Sequence, residues 1–464
     1  MKVLIIGAGP AGLSCAYELI KKGIDVEVFE ASGYVGGMSR SIDLWGQRVD
    51  LGPHRFFSKD KQVNLFFDEI LKDDYTVVNR LTRIYYRNNF FDYPLQLGNV
   101  LKNLNILTIF RILWDYFKQK IKPIKEPKTF EDWVTNKFGR KLFEIFFKGY
   151  SEKLWGLSCS EIDSDWAAQR IKTLSLSKAV ISALKSNRKN EHESLVDQFN
   201  YPKNGTGELY EKCSKYIIEN GGKVHLNKPI KKVVIDEVSR IANGVALDDG
   251  SVINGDVVVS SMPLTSLVKG IENRTSKIDK AVNSLCFRNT ILVYLEVEET
   301  NLFVDNWIYV HSENVKHGRI TNFRNWCPTL NKSKKTTILC LEFWTAETDE
   351  LWNKSEKEIS IIAQGELRSL NLFPSNVAIK QSYILKVAKS YPVYKTGYKK
   401  DLEVVQNFLD EVKSLVTIGR YGAFKYNNQD HSILMGLLTA QNIINGEIVN
   451  LWNVNTDQEY QERM

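Results

Sequence analysis

The sequence predicts an α/β protein whose nucleotide-binding core is interrupted by a helical insert and by an antiparallel sheet. Three observations carry this. An apolar strand, Lys2-Val3-Leu4-Ile5-Ile6, runs into Gly7-Ala8-Gly9-Pro10-Ala11-Gly12, and a helix and a second apolar run, Val26 to Phe29, follow and end at Glu30. From Gln62 to about Ser186 the apolar spacing is mostly helical. From Thr290 to about Lys389 β-branched and aromatic runs dominate, as in Thr290 to Leu295, Trp307 to Val310 and Thr336 to Trp344.

The first element is a Rossmann-like dinucleotide loop. Gly7 permits the tight turn, Gly9 lets backbone approach a pyrophosphate, and Gly12 allows close packing of helix on strand. The helix then points its N-terminal amides at the phosphates, and Glu30 is placed to hold the adenosine ribose. The next segment adds a glycine pair and a basic residue, Gly36-Gly37-Met38-Ser39-Arg40. Glu30 through Arg40 resembles the E-x-x-x-x-x-G-G-x-x-R/S signature of the flavin amine oxidase and UDP-galactopyranose mutase superfamily. That resemblance implies permanently bound FAD rather than exchanging NAD.

Composition fits a globular protein with two or three structural units. The chain has 464 residues, 43% hydrophobic and 25% charged, which calls for no disorder. No apolar stretch is long enough to span a bilayer, and the apolar start is too short and glycine-rich for a signal peptide, so the expected location is the cytoplasm. The six cysteines are far apart with no C-x-x-C, which points away from a disulfide framework or a zinc site. A net charge of +7 argues weakly for anionic ligands or a membrane surface and not for nucleic acid.

Along the chain, Trp45 to His54 returns a short strand toward the cofactor. Leu107 to Phe117 has apolar residues at helical spacing with charges between them, read first as part of a packed helical subdomain and second as a helix lying on a membrane. Lys185 to Glu193 reads as an exposed loop. A helix after Tyr201 to Gly207 ends at Asn220-Gly221-Gly222, and short strands follow at 223–226, 230–235, 244–247 and 256–261. Near the end, Ile418-Gly419-Arg420-Tyr421-Gly422 and Tyr426-Asn427-Asn428-Gln429-Asp430-His431-Ser432 lead into a helix of small and apolar residues. This places Asp430 near a ribityl chain and helix-start amides near a flavin ring.

Several separated segments together resemble UDP-galactopyranose mutases, those of the eukaryotic type more than the usual bacterial ones. Asp50 to Ser58 is similar to their G-G-H-x-x-F-S loop beside the isoalloxazine, which brings in His54. Tyr93-Pro94-Leu95-Gln96 is similar to their Y-P-F-Q. Tyr150-Ser151-Glu152-Lys153-Leu154-Trp155 and Trp166 to Arg170 resemble Y-N-x-K-x-W and W-x-x-x-R. Arg319 to Pro328 resembles R-x-T-x-F-x-N-Y-x-P, and Tyr391 and Tyr426 fall where the family has two phosphate-binding tyrosines. The chain departs from the pattern at Ser151 and Trp326, which bears on the sugar and base contacts.

The resemblance implies a GR2-type FAD-binding domain in three parts, 1–90, 196–275 and 396–464. A helical substrate subdomain would occupy 91–195 and an antiparallel-sheet substrate domain 276–395. It implies cofactor contacts from Gly7, Gly9, Gly12, Glu30, Gly37, Met38, Ser39, Arg40, His54, Val224, Arg420, Asp430, His431 and Ser432. Substrate contacts fall to Gln96, Trp155, Arg170, Arg319, Asn325, Tyr391 and Tyr426, with Arg170, Arg319 and His54 closest to the chemistry. A diphosphate needs dispersed cationic and hydroxyl donors, which two arginines and two tyrosines supply without a metal.

The implied reaction interconverts the pyranose and furanose forms of a nucleotide-diphosphate sugar without net oxidation, using reduced FAD, with NADPH or NADH as reductant. A flavin oxidase of the amine oxidase or protoporphyrinogen oxidase kind is the alternative, and a binding or scaffold protein on the same fold is a third. The apolar helical insert is also a candidate homo-oligomer face.

Overall fold

Lys2–Ile6 and Asp25–Phe29 are short, buried, β-rich runs, and the helix Pro10–Lys21 between them crosses over to make them parallel neighbours. Parallel strands buried on both faces read as continuous apolar sequence, as Val3 to Ile6 does, whereas Asp25–Phe29 is interrupted by Glu27, which is ion-paired with Lys2 at 2.9 Å and Lys223 at 3.0 Å. In this computed structural model the described residues are 1–93, 95, 99–100, 103–171, 198–446 and 449–455, without the side chains of 168–171. The chain forms two compact units, one from residues 1–77, 200–287 and 397–461, the other from 78–199, 288–396 and 462–464.

The first unit is built on a five-stranded parallel sheet in the order 415–417, 257–260, 2–6, 25–29, 223–225. Its core gathers Val3, Ile5, Val28 and Val259 from the strands with Leu13, Leu209, Cys213 and Met435 from the covering helices. Helix Gln429–Asn445 lies against helix Pro10–Lys21 at very close range. A Cβ on Gly436 would come 2.3 Å from the Ala11 carbonyl oxygen, and Ser14 Oγ donates to the Ile433 carbonyl at 3.1 Å. That contact seats the Asp430 to Ser432 turn next to the glycine loop.

The second unit contains a seven-stranded sheet in the order 379–392, 287–297, 337–345, 319–322, 307–310, 82–86, 89–92. Among the pairings from 287–297 through 89–92, only that of 307–310 with 82–86 is parallel. Strands 82–86 and 89–92 correct one expectation: the span after Gln62 is not helical there. These strands form a hairpin with a two-residue turn, Arg87-Asn88, both at positive φ. That geometry suits the strand twist, but the turn carries no glycine to announce it. The helical segments 106–171 and the sheet strands after 288 lie in this unit.

Candidate functional site

In the first unit the glycines do three different jobs. Gly7 has φ +99° and its amide donates to the Phe29 carbonyl at 2.8 Å, so it is the turn residue. A Cβ on Gly12 would lie 2.0 Å from the Gly7 carbonyl oxygen, so Gly12 is fixed by helix-to-loop packing. Gly9 is different: its nearest neighbour in that direction is Gly37 Cα at 4.0 Å. The protein's own atoms would accept a side chain there, and a group lying against that backbone would not. Pro10, at the first helical position, has no amide to leave unpaired, and the following first-turn amides face the loop's opening.

The other expected cofactor residues surround this loop. The Gly36 amide donates to the Ala8 carbonyl at 2.8 Å, and a short turn, Gly37–Ser39, carries Met38 and leads to Arg40. Glu30 accepts the Ala8 amide at 3.0 Å and the Ser32 amide and hydroxyl, each at 2.9 Å, which fixes its carboxylate at the strand end. Val224 pairs with Val28 on the neighbouring edge strand. Arg420 Nη1 donates to the Asn427 carbonyl at 2.8 Å and its guanidinium lies 4.5 Å over the Tyr426 ring. Asp430, His431 and Ser432 are buried in the first turn of their helix, with Asn428 and His431 forming a reciprocal cap. His54 is half-buried just after the Gly52 turn. Buried Asp50 anchors that segment by accepting Ser41 Oγ and Tyr201 Oη, both at 2.6 Å, and the Thr206 amide.

Among the buried polar atoms of this unit that have no hydrogen-bond partner among the described residues are Arg40 Nε, Tyr421 Oη and His431 Nε2. Arg40 and Arg420 both act electrostatically on Tyr421, whose phenol burial pushes up to about 12, so it stays protonated at neutral pH. Two arginines converge with orphaned donors where an anionic dinucleotide would lie. Uncompensated buried polar atoms are costly, and a bound ligand is the ordinary way to satisfy them.

In the second unit the expected residues fall into two groups. Arg319 opens strand Arg319–Asn322 directly opposite Glu342, and its Nε donates to Glu342 Oε1 at 2.6 Å while Nη2 bonds Oε2. Burial opposes its charge, but Glu342 more than offsets this and holds the guanidinium protonated. Nη1 has no partner among the described residues. The phenols of Tyr391 and Tyr150 are close enough to act on the same guanidinium. Tyr150 stacks on His311 at 4.8 Å and meets Trp344 edge-on at 5.5 Å. Gly318 makes room for Trp344, since a Cβ there would fall 2.0 Å from the indole ring.

Asn325 and Trp155 are placed in packing roles. Asn325 Nδ2 donates to the carbonyls of Phe303 and Asp305 at 2.7 and 2.8 Å. Trp155 is 1% exposed, against the rings of Trp166 and Tyr394. Gln96 and the side chain of Arg170 lie outside the described residues.

Sequence reasoning passed over Glu342, Trp344 and His311, and it quoted Lys153 only as part of a motif. Glu342 had a signal, as a lone carboxylate inside the buried run Thr337 to Thr345. Lys153 Nζ donates to the Ser312 carbonyl at 2.6 Å, and burial pushes its ammonium down to about 8. Burial, with Lys153 nearby, pushes His311 down to about 3, so it is neutral.

A probable UDP-galactopyranose mutase of Klebsiella pneumoniae is 26% identical over 179 residues, 34% of this chain and 42% of that one. A zeta-carotene desaturase of Capsicum annuum is 22% identical over 299 residues, 58% of this chain and 46% of that one. The match thus takes in less than half the length of each of these two relatives. A crystal structure of reduced UDP-galactopyranose mutase superimposes with a TM-score of 0.85 at 22% identity, covering 98% of this chain and 99% of that one. The fold is therefore that of the FAD-binding amine-oxidase-like proteins, with no helix among the described residues long and apolar enough to cross a membrane. The open Gly9 face and the three orphaned polar atoms fit FAD, the flavin such proteins carry. The profile of the flavin containing amine oxidoreductases matches residues 10–409, and the chain belongs to that family.

Proposed function

We propose that this protein interconverts the pyranose and furanose rings of a nucleotide-diphosphate sugar, as a UDP-galactopyranose mutase does, in the biosynthesis of a cell-surface polysaccharide. The observation that carries the reading is Arg319, a guanidinium fixed by Glu342 with Nη1 left over and two phenols beside it. A diphosphate wants this arrangement: a preoriented cation with hydroxyl donors, rigid before the ligand arrives.

In the first unit the glycine loop, Arg40 and Arg420 hold the dinucleotide, and Glu30 holds its ribose. FAD bound there and reduced, with NADPH or NADH as reductant, would supply the nucleophile for the anomeric carbon. Arg319, Arg170, Tyr391 and Tyr426 are the residues assigned to retaining the diphosphate. Gln96, Asn325 and Trp155 are the further residues that the resemblance assigns to the sugar-nucleotide site. His54, on the loop anchored by Asp50, is assigned to the flavin's side. No side-chain acid or base is required, because the diphosphate leaves and returns as an anion held by cations.

The second reading is oxidation of an apolar substrate, favoured by the aromatic group Tyr150, Tyr309 and Trp344 and by the desaturase relative. Titration with UDP separates the two. Arg319→Ala should weaken UDP binding about tenfold or more, the usual loss of a charged hydrogen bond to phosphate. UDP affinity that is absent, or unchanged in both Arg319→Ala and Arg170→Ala, would remove the diphosphate site and favour the oxidase.

A further inference from the structure

Helix Ile106–Ile121 in the second unit leaves its apolar residues outside. It begins at Asn105, whose side chain accepts the Thr108 amide at 2.8 Å, and its inner face is seated through Ile112 and Tyr116. A Cβ on Gly139 would touch the Tyr116 amide at 2.8 Å, so the helix is held close to the body of the unit. On the opposite face Leu107, Phe110, Trp114, Phe117 and Ile121 are between 60% and 84% exposed. Their spacing is three, four, three, four, which makes one continuous stripe along the helix. An unbroken apolar ridge of this size on a folded surface has a partner.

Charge decides which partner. Arg111 and Lys118 flank the stripe on one side, Lys120 lies on the other and Lys122 caps the end, and none of them makes an ion pair among the described residues. The helix's single acid, Asp115, is taken up by the Lys141 amide at 3.1 Å. A second copy of the helix is the natural alternative for a heptad stripe. In that pairing the residues bordering the seam would be Arg111, Lys118, Lys120 and Leu113, with no acid among them. Parallel or antiparallel, such a pair sets cations against cations. The stripe itself is led by Trp114 and two phenylalanines, whereas two-stranded seams favour Ile, Val and Leu. Aromatic residues with a lysine border are what a helix needs to lie in the headgroup layer of an anionic bilayer.

We propose that this helix docks the protein on anionic phospholipid membranes, lying flat with the stripe in the interface. The proposal is independent of which reaction the flavin site performs. The test is flotation of the full-length flavoprotein with vesicles of phosphatidylcholine alone or containing about 30 mol% phosphatidylglycerol. The wild type should float with the anionic vesicles, at least about tenfold more than with neutral ones, and less in high salt. Phe110→Glu/Trp114→Glu should abolish flotation with flavin content unchanged. Lys118→Gln/Lys122→Gln, which keeps the stripe, should reduce the anionic preference severalfold. Wild type that stays in solution overturns the proposal, as does flotation that survives Phe110→Glu/Trp114→Glu. A concentration-dependent dimer in place of vesicle binding, dissolved by the same variant, would assign the stripe to a second copy.

Discussion

The two units make their sites in opposite ways. In the first, the site is mostly backbone: three glycines, a helix N-terminus and a parallel sheet, with arginines added at the rim. In the second the candidate site is mainly side chains, held by partners that are distant in sequence, such as Arg319 with Glu342 and Lys153 with the Ser312 carbonyl. A backbone site must be written in consecutive residues and leaves a motif. A side-chain site is assembled by strand pairing, and its parts carry no local mark.

The comparison breaks most visibly at the glycines. Gly12→Ala would drive a Cβ into the Gly7 carbonyl, and the loop cannot move without the sheet, so we expect loss of folded protein, a cost of about 3 kcal/mol or more. Gly9→Ala meets nothing closer than 4.0 Å and should leave the melting temperature of the flavin-free protein unchanged while abolishing flavin retention. Thermal melts and the flavin-to-protein absorbance ratio read the two effects separately. If Gly9→Ala retains flavin, the open face is not a cofactor contact.

The next effect lies in the second unit. Glu342→Gln leaves Arg319 charged and nearly enclosed, and denaturant unfolding should report a loss of about 3 kcal/mol. Replacing both partners, Arg319→Met with Glu342→Leu, should recover much of that stability but not UDP binding. A single variant as stable as wild type would mean the pair is not needed to fix the guanidinium.

A smaller effect depends on pH. Lys153 is pushed by burial from 10.5 down to about 8, so between these values the unfolded chain binds the proton and the folded one has lost it. Stability carried by this residue therefore rises from about pH 8 to pH 10.5, by about 2 kcal/mol once partial solvent contact is allowed for. Lys153→Met should flatten that rise relative to wild type. An identical pH profile in the two proteins would show that the ammonium is not desolvated.

These contrasts explain what was legible beforehand. The strand, glycine loop, helix and Glu30 order could be read directly, because each step obeys a local rule. The 82–92 hairpin could not, since Arg87-Asn88 adopts its turn without glycine. Arg319 was reached only through family resemblance, and its partner Glu342 was missed because only the register of two strands brings them together. The stripe on helix 106–121 was visible as periodicity, but periodicity does not say which face is buried.

The central claim is that reduced flavin serves the ring isomerisation of a nucleotide-diphosphate sugar. It is tested most directly by incubating the purified protein, oxidised or reduced with dithionite, with UDP-galactopyranose and related nucleotide sugars, while ring isomers and the flavin spectrum are followed together. The account expects a furanose product only from the reduced protein, with the flavin spectrum the same before and after turnover. A reduced protein that leaves every nucleotide sugar unchanged, while the oxidised one releases peroxide from an amine or porphyrinogen, would contradict it.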